Sequence, residues 1–212
     1  MIKNKFVAVI DYGMGNLRSV HKGLEKVGIH AVITDNVKTI ADAHGIVLPG
    51  VGSFVDCIRS LERHRLIDGI LKSIERGKPF LGICLGLQVL FTESEEFGTH
   101  PGLDVFKGKV VRFFEDRKEY SSSLKVPHMG WNSIKIKRRP PVLANIPDRS
   151  YFYFVHSYFV KPENPEIVAT TTEYGVEFVS SVWKDNVFAC QFHPEKSQVL
   201  GLTLLKQFGS LI

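Results

Sequence analysis

The sequence predicts an α/β fold: a mostly parallel central sheet flanked by helices, with antiparallel strands added to it. Three observations carry this. In the first half, short apolar runs alternate with stretches of helical periodicity, the pattern of a parallel sheet covered on both faces. In the second half, strand-like runs follow one another with few helical signals between them. Three of the early strands also run directly into glycine-rich turns.

Phe6 to Ile10 is a continuous apolar run, as a strand buried on both faces requires. A turn from Asp11 to Asn16 follows. Leu17, Val20, Leu24 and Val27 then recur at spacings of three and four, which predicts a helix ending at Gly28. Ala31 to Ile33 is the second strand. Gly45 to Leu48 is the third, ending in Pro49-Gly50-Val51-Gly52. Phe54 to Ile74 is amphipathic and long enough for two helices. Pro79 to Ile83 is the fourth strand, and Leu85 to Phe91 reads as a helix. Beyond it, Val105–Phe114, Trp131–Ile136, Tyr151–Val160, Ile167–Thr172, Phe178–Trp183 and Val187–Phe192 all read as strands. Leu200 to Phe208 is a closing helix. Glu115 to Val126 reads as a polar, exposed loop.

No linker or internal repeat divides the chain, so residues 1–212 are expected to form one domain. Hydrophobic residues make up 44% and charged residues 23%, a globular mix that excludes disorder and coiled coil. Fifteen phenylalanines suit a thick core. No uncharged apolar run approaches the ~20 residues of a spanning helix. No export signal precedes Phe6, so the expected compartment is the cytoplasm, where Cys57, Cys84 and Cys190 stay reduced. The net charge of +5 raises the question of nucleic acid. Its densest cluster, Lys135 to Arg139, has no reading motif beside it and is read as a solvated hairpin edge.

Gly82-Ile83-Cys84-Leu85-Gly86 follows an apolar strand and opens a helix. This G-x-C-x-G pattern is the cysteine form of a nucleophile elbow. The flanking glycines leave room for a sharp turn, and the helix N-terminus favours the thiolate. Gln191-Phe192-His193-Pro194-Glu195 supplies a base and a carboxylate. At i and i+2 on a strand end, His193 and Glu195 are expected to share one face, with Glu195 orienting the imidazole. In Pro49-Gly50-Val51-Gly52-Ser53, backbone N–H groups could join that of Leu85 in an oxyanion hole; a plain turn capped by Ser53 is the equal alternative. The remaining histidines show no metal-ligand spacing, and Gly13-x-Gly15 lacks the third glycine of a dinucleotide fingerprint. Neither a metal nor a cofactor is expected.

Together with Asp11-Tyr12-Gly13-Met14-Gly15-Asn16, Pro127-His128-Met129-Gly130-Trp131-Asn132 and Tyr153-Phe154-Val155-His156-Ser157-Tyr158, these stretches resemble the class I, triad-type glutamine amidotransferases. The matches run in order from residue 11 to residue 197. The resemblance implies hydrolysis of L-glutamine through a Cys84 thioester, with His193 and Glu195 completing the triad. It implies that Val51, Gly52 and Leu85 hold the oxyanion, and that Gly50, Gln88, Glu96, Ser157 and Tyr158 bind substrate. A solvated place in the Glu93-Glu95-Glu96 run is the alternative for Glu96. The Asp11–Asn16 and Pro127–Asn132 stretches point to a branch serving histidine biosynthesis. There the ammonia passes to a separate cyclase subunit, a (β/α)8 barrel, in a heterodimer whose partner and its ligand switch on activity. Asn16, Met129, Trp131, Tyr153 and Lys196 match positions at that interface, although core packing is the competing reading for Met129 and Trp131. A paralogous amidotransferase with another acceptor, a cysteine hydrolase without ammonia transfer and a non-catalytic binding subunit are the other readings.

Overall fold

The computed structural model describes residues 5–114 and 124–212. The expected loop from Glu115 to Val126 therefore lies largely outside the described residues. Five parallel strands form the heart of the sheet: β1 (Val7–Ile10), β2 (Ala31–Thr34), β3 (Gly45–Gly50), β4 (Phe80–Cys84) and β14 (Val187–Cys190), in the order β2-β1-β3-β4-β14. The sheet continues through β13 (Glu177–Lys184), β11 (Tyr158–Pro162), β7 (Phe106–Arg112), β5 (Phe91–Ser94) and β6 (His100–Pro101). All neighbours in that extension are antiparallel except β5 and β7. β12 (Val168–Glu173) and β9 (Lys135–Ile136) branch from β13. The expected fold is the observed one.

Alternate residues of β1 feed two cores. Val7 and Val9 pack on the side of Leu24, Leu204 and Phe208, whereas Ala8 and Ile10 pack on the side of Ile40, Phe54 and Ile70. The first side carries α1 (Leu17–Lys26) and α6 (Gln198–Gly209). The second carries α2 (Val37–Asp42), α3 (Phe54–Arg63) and α4 (Ile67–Glu75). Each fully buried Phe or Leu contributes roughly 1.5–3 kcal/mol. Two-sided burial explains why these strands are unbroken apolar runs.

Several expectations need correction. The helix expected over Leu85 to Phe91 is one turn, α5 (Leu85–Gln88), and Phe91 already opens β5. Val89, Leu90 and Phe91 are all fully buried, which no one-faced surface helix allows. The strand expected over Tyr151 to Val160 breaks at Ser157 into β10 (Tyr151–His156) and β11. β10 leaves the main sheet and pairs with β8 (His128–Ser133) as a separate two-stranded sheet. Trp131 to Ile136 is likewise divided between β8 and β9. Helix α2 was not anticipated, although Asn36 caps it by accepting from Lys38 and Thr39 N–H at 2.9 and 3.1 Å.

The basic cluster is spent on local contacts. Lys137 pairs with Glu177 at 3.3 Å, Arg138 bonds the Glu166 carbonyl and stacks over Trp183, and Arg139 donates to the Leu143 and Ile146 carbonyls.

Candidate active site

The carboxyl ends of β3, β4 and β14 meet at one place. Gly50 and Cys84 are register partners, and Ile83 is the partner of Cys190. Cys84 itself has φ 55° and ψ −107°, a strained backbone for a non-glycine residue that costs roughly 1–3 kcal/mol. Close approach sets the glycines around it. A Cβ on Gly82 would lie 2.6 Å from the Gly86 carbonyl oxygen, and one on Gly86 would lie 1.9 Å from that of Leu48. Neither needs a positive φ. A Cβ on Gly50 would meet Leu85 Cβ at 2.7 Å and the Tyr12 hydroxyl at 2.8 Å. Tyr12 is fully buried, and its hydroxyl donates to the Pro49 carbonyl at 2.9 Å. It thus ties the Asp11–Asn16 turn beneath the Pro49–Gly52 turn. Helix α5 is too short for a macrodipole, so the expected helix contribution reduces to the local N–H groups of its single turn.

His193 Nδ1 and Glu195 Oε1 lie 2.8 Å apart, with the two side chains 2% and 1% exposed. The expected common strand face is not how they meet. β14 ends at Cys190, and Glu195 sits in a short 3-10 turn, Pro194–Lys196, that folds the carboxylate back under the ring. His193 is anchored by its own N–H donating to the Tyr153 carbonyl at 2.9 Å and by Ser197 Oγ donating to its carbonyl at 2.6 Å. Among the described residues, His193 Nε2 makes no ordinary hydrogen bond. The Cys84 sulfur is nonetheless in interaction range of the ring. Burial opposes protonation of His193, but the charge and hydrogen-bonding reach of Cys84, and then of Glu195, outweigh it and raise the imidazole's proton affinity.

A cavity of about 290 Å³ opens beside the sulfur. Val51, Gly52, Cys84, Leu85, Gln88, Glu96, Ser157, Tyr158 and His193 all line it. Gly50 lies behind this wall, against Leu85 and Gly86. Gln88 donates to the Tyr158 carbonyl and to Gln191 Oε1, both at 3.0 Å. Glu96 accepts from Phe54 N–H at 2.6 Å, so it closes the start of α3 rather than trailing in solvent. Burial raises its carboxyl above the usual range, and the Phe54 N–H opposes that. Ser53 caps α3 through Asp56 N–H, so the turn that lines the cavity also starts a helix. Cys57 and Cys190 are buried, and burial pushes both thiols up, Cys57 to about 12. They are packing residues.

Met129 and Trp131 are 62% and 46% exposed, which removes the core-packing reading. Trp131 stands edge-on to Tyr153, and Lys196 Nζ lies 5.7 Å over the Tyr153 ring. These four form one patch, joined to the His193–Glu195 turn through the Tyr153 backbone. Asn16 sits at the start of α1, where its side chain makes no cap. Three further features carry no sequence expectation: Tyr12 under Gly50, the His128–His156 contact, and Gln191, whose Nε2 lies 3.5 Å from Cys84 Sγ. Gln191, two residues before His193, was the one visible signal. Among the described residues, no group of three or more His, Cys, Asp or Glu could hold a metal, and no helix is long and apolar enough to cross a membrane.

A strained cysteine on a strand-to-helix turn, an imidazole from the turn after the next parallel strand and a carboxylate behind it are arranged as the nucleophile, base and orienter of a cysteine-dependent enzyme would be. The pattern of the class-I glutamine amidotransferases matches residues 8–209, and the chain belongs to that family. Imidazole glycerol phosphate synthase subunit HisH of Geobacter sulfurreducens is 55% identical over 205 residues, covering 97% of this chain and 98% of the relative. The HisH subunit of Aquifex aeolicus is 50% identical, covering 94% of each chain. The solved structure of PurLQS from Thermotoga maritima shares the fold, with a TM-score of 0.71 at 21% identity over 98% of this chain and 97% of that one.

Proposed function

We propose that this chain is the glutaminase subunit of an imidazole glycerol phosphate synthase, working as one domain with a separate cyclase subunit. The observation that carries the reading is the buried His193–Glu195 pair beside Cys84, with Cys84 and His193 lining a cavity of about 290 Å³. High identity to HisH subunits over nearly the full length supports the choice of acceptor.

Each step uses a group already placed. The Cys84 thiolate attacks the carboxamide carbon of glutamine. The oxyanion that forms is held by backbone N–H groups of the Val51–Gly52 turn and of Leu85. The His193 imidazolium gives its proton to the departing nitrogen, which leaves as ammonia, and the γ-glutamyl thioester remains. Neutral His193 then takes a proton from water as the water attacks the thioester. Glutamate departs, and the thiolate and imidazolium are restored. Glu195 holds the ring and supports its positive charge. Glu96 suits the substrate's α-ammonium, and Gln88, Ser157 and Tyr158 shape the same wall.

Ammonia released into water near neutral pH becomes ammonium and is no longer a nucleophile. A partner docked over the cavity would collect it. The patch of Met129, Trp131, Tyr153 and Lys196 is the docking surface in this reading, and a (β/α)8-barrel cyclase is the partner. Turnover with that subunit present is the test. Cys84→Ala should abolish glutamine-dependent ring closure while added ammonia still supports it. Glutamine-dependent turnover surviving Cys84→Ala would end the assignment.

A further inference from the structure

We propose that Gln191 is a further residue of the glutaminase site: it donates a hydrogen bond to the Cys84 sulfur, and Gln88, fixed by the Tyr158 carbonyl on which a second chain of hydrogen bonds from Asn132 converges, holds its amide in that sense. The inference rests on the reading of Cys84 as nucleophile and adds a second side chain at the sulfur.

The orientation of each group follows from two backbone carbonyls, which can only accept. The Tyr158 carbonyl lies 3.0 Å from one end of the Gln88 amide, so that end is nitrogen. The same nitrogen lies 3.0 Å from one end of the Gln191 amide, so that end is oxygen. The opposite end of Gln191 is therefore nitrogen, and it lies 3.5 Å from Cys84 Sγ. A reversed Gln191 would set nitrogen against nitrogen at Gln88 and an oxygen against the sulfur. Both protons of the Gln88 amide are thereby used within the protein.

The Tyr158 carbonyl is fixed from its other side. His156 Nδ1 lies 2.8 Å from it and must carry the proton. His156 Nε2 is then the acceptor, and His128 Nδ1, 3.0 Å away, is the donor. His128 Nε2 in turn accepts from Asn132 Nδ2 at 3.2 Å. That Asn132 atom also lies 2.8 Å from the Glu173 carbonyl, so it is nitrogen. Both ends of the chain are thus set by carbonyls, and one tautomer of each histidine satisfies every link. A proton added to His128 would face Asn132 donor to donor. Burial, the largest cause at both, lowers the two imidazoles to about 4 and about 3, so both stay neutral. His128 is clamped between Phe154 and Tyr174, with ring centroids at 4.9 and 4.1 Å. His128, His156 and Asn132 act through others and are positioning residues; Gln191 touches the reacting atom.

A thiolate with one charged partner and one neutral donor is better fixed than one with the imidazolium alone. The loss should fall on kcat rather than on substrate binding. Gln191→Met, which keeps the length and removes the donor, is compared with the wild type in the complex with the cyclase subunit. Expected are a fall in kcat of about ten- to one-hundredfold, a KM within about threefold, and a matching slowing of Cys84 alkylation by iodoacetamide. Unchanged kcat and alkylation, or a rise in KM alone, would overturn the proposal. If Gln191→Met does not fold, the 15N-labelled wild-type chain decides. The Gln191 side-chain amide resonance should move on Cys84→Ala, and an unmoved resonance overturns the proposal. Absence of glutamine turnover in the wild-type complex would instead count against the glutaminase reading itself.

Discussion

His193 and Glu195 form a contact of 2.8 Å from which water is almost wholly excluded. In so dry a site the carboxylate raises the imidazole's proton affinity together with Cys84, against the opposing effect of burial. Glu195→Gln removes the charge and keeps the shape. The His193 pKa should then fall, so the alkaline limb of the kcat profile should move to lower pH. The rate at neutral pH should drop by about 100-fold. Steady-state glutamine turnover across pH checks both.

Gly86→Ala should be among the most disruptive single-methyl changes available. Its Cβ would lie 1.9 Å from a backbone oxygen of β3, which cannot move without disturbing the parallel core. A loss of about 3 kcal/mol or more is expected in thermal or denaturant unfolding. Gly13→Ala is the contrast. Nothing lies within 4 Å of its Cβ, but φ is +83°, so only a strain of about 1 kcal/mol is expected.

The neutral His128–His156 pair makes folding sensitive to acid. In the unfolded chain both rings titrate near 6.5, whereas in the folded chain they do so near 4 and 3. Below pH 6.5 the unfolded state therefore binds more protons, and stability falls as pH drops towards those folded values. A loss of a few kcal/mol is expected by about pH 4.5. His128→Phe removes one of the two groups, so its stability should fall less steeply with acid than that of the wild type. Urea midpoints at a series of pH values test this.

Trp131→Ala should separate folding from association. The ring is half in solvent, so unfolding should change by about 0.5 kcal/mol or less. If the patch docks the cyclase subunit, affinity should fall about 10- to 100-fold, as for a central aromatic anchor. Calorimetric titration of one subunit with the other measures it. Loss of stability without loss of affinity would point to a packing role.

The parallel half of the fold was legible because two-sided burial writes itself as unbroken apolar runs, as in Phe6–Ile10 and Gly45–Leu48. The elbow was legible because its sterics are compressed into the five residues around Cys84. The length of α5 was not, since Val89, Leu90 and Phe91 are as apolar as a helix core and are placed by Leu103 and Phe106, which follow later in the chain. The relation of His193 to Glu195 was correct as a pair and wrong as a strand face, because the proline between them starts a turn. The polar chain behind the site was beyond reach for a simpler reason. His128 and His156 are 28 residues apart, and Gln88 and Gln191 are 103 apart. No local pattern encodes such a meeting.

Strand β14 lies between β4 and β13, yet it is the last strand of the chain. A nascent chain on the ribosome thus exposes Cys84 long before His193 and Glu195 have been translated. Until β14 slots in, the cysteine has neither its base nor its amide donor, and the sheet has a gap beside the elbow. Assembly of that cluster therefore waits at least until residue 195 has been made. A chain interrupted before that point would carry Cys84 without the imidazole and carboxylate that face it in the finished fold.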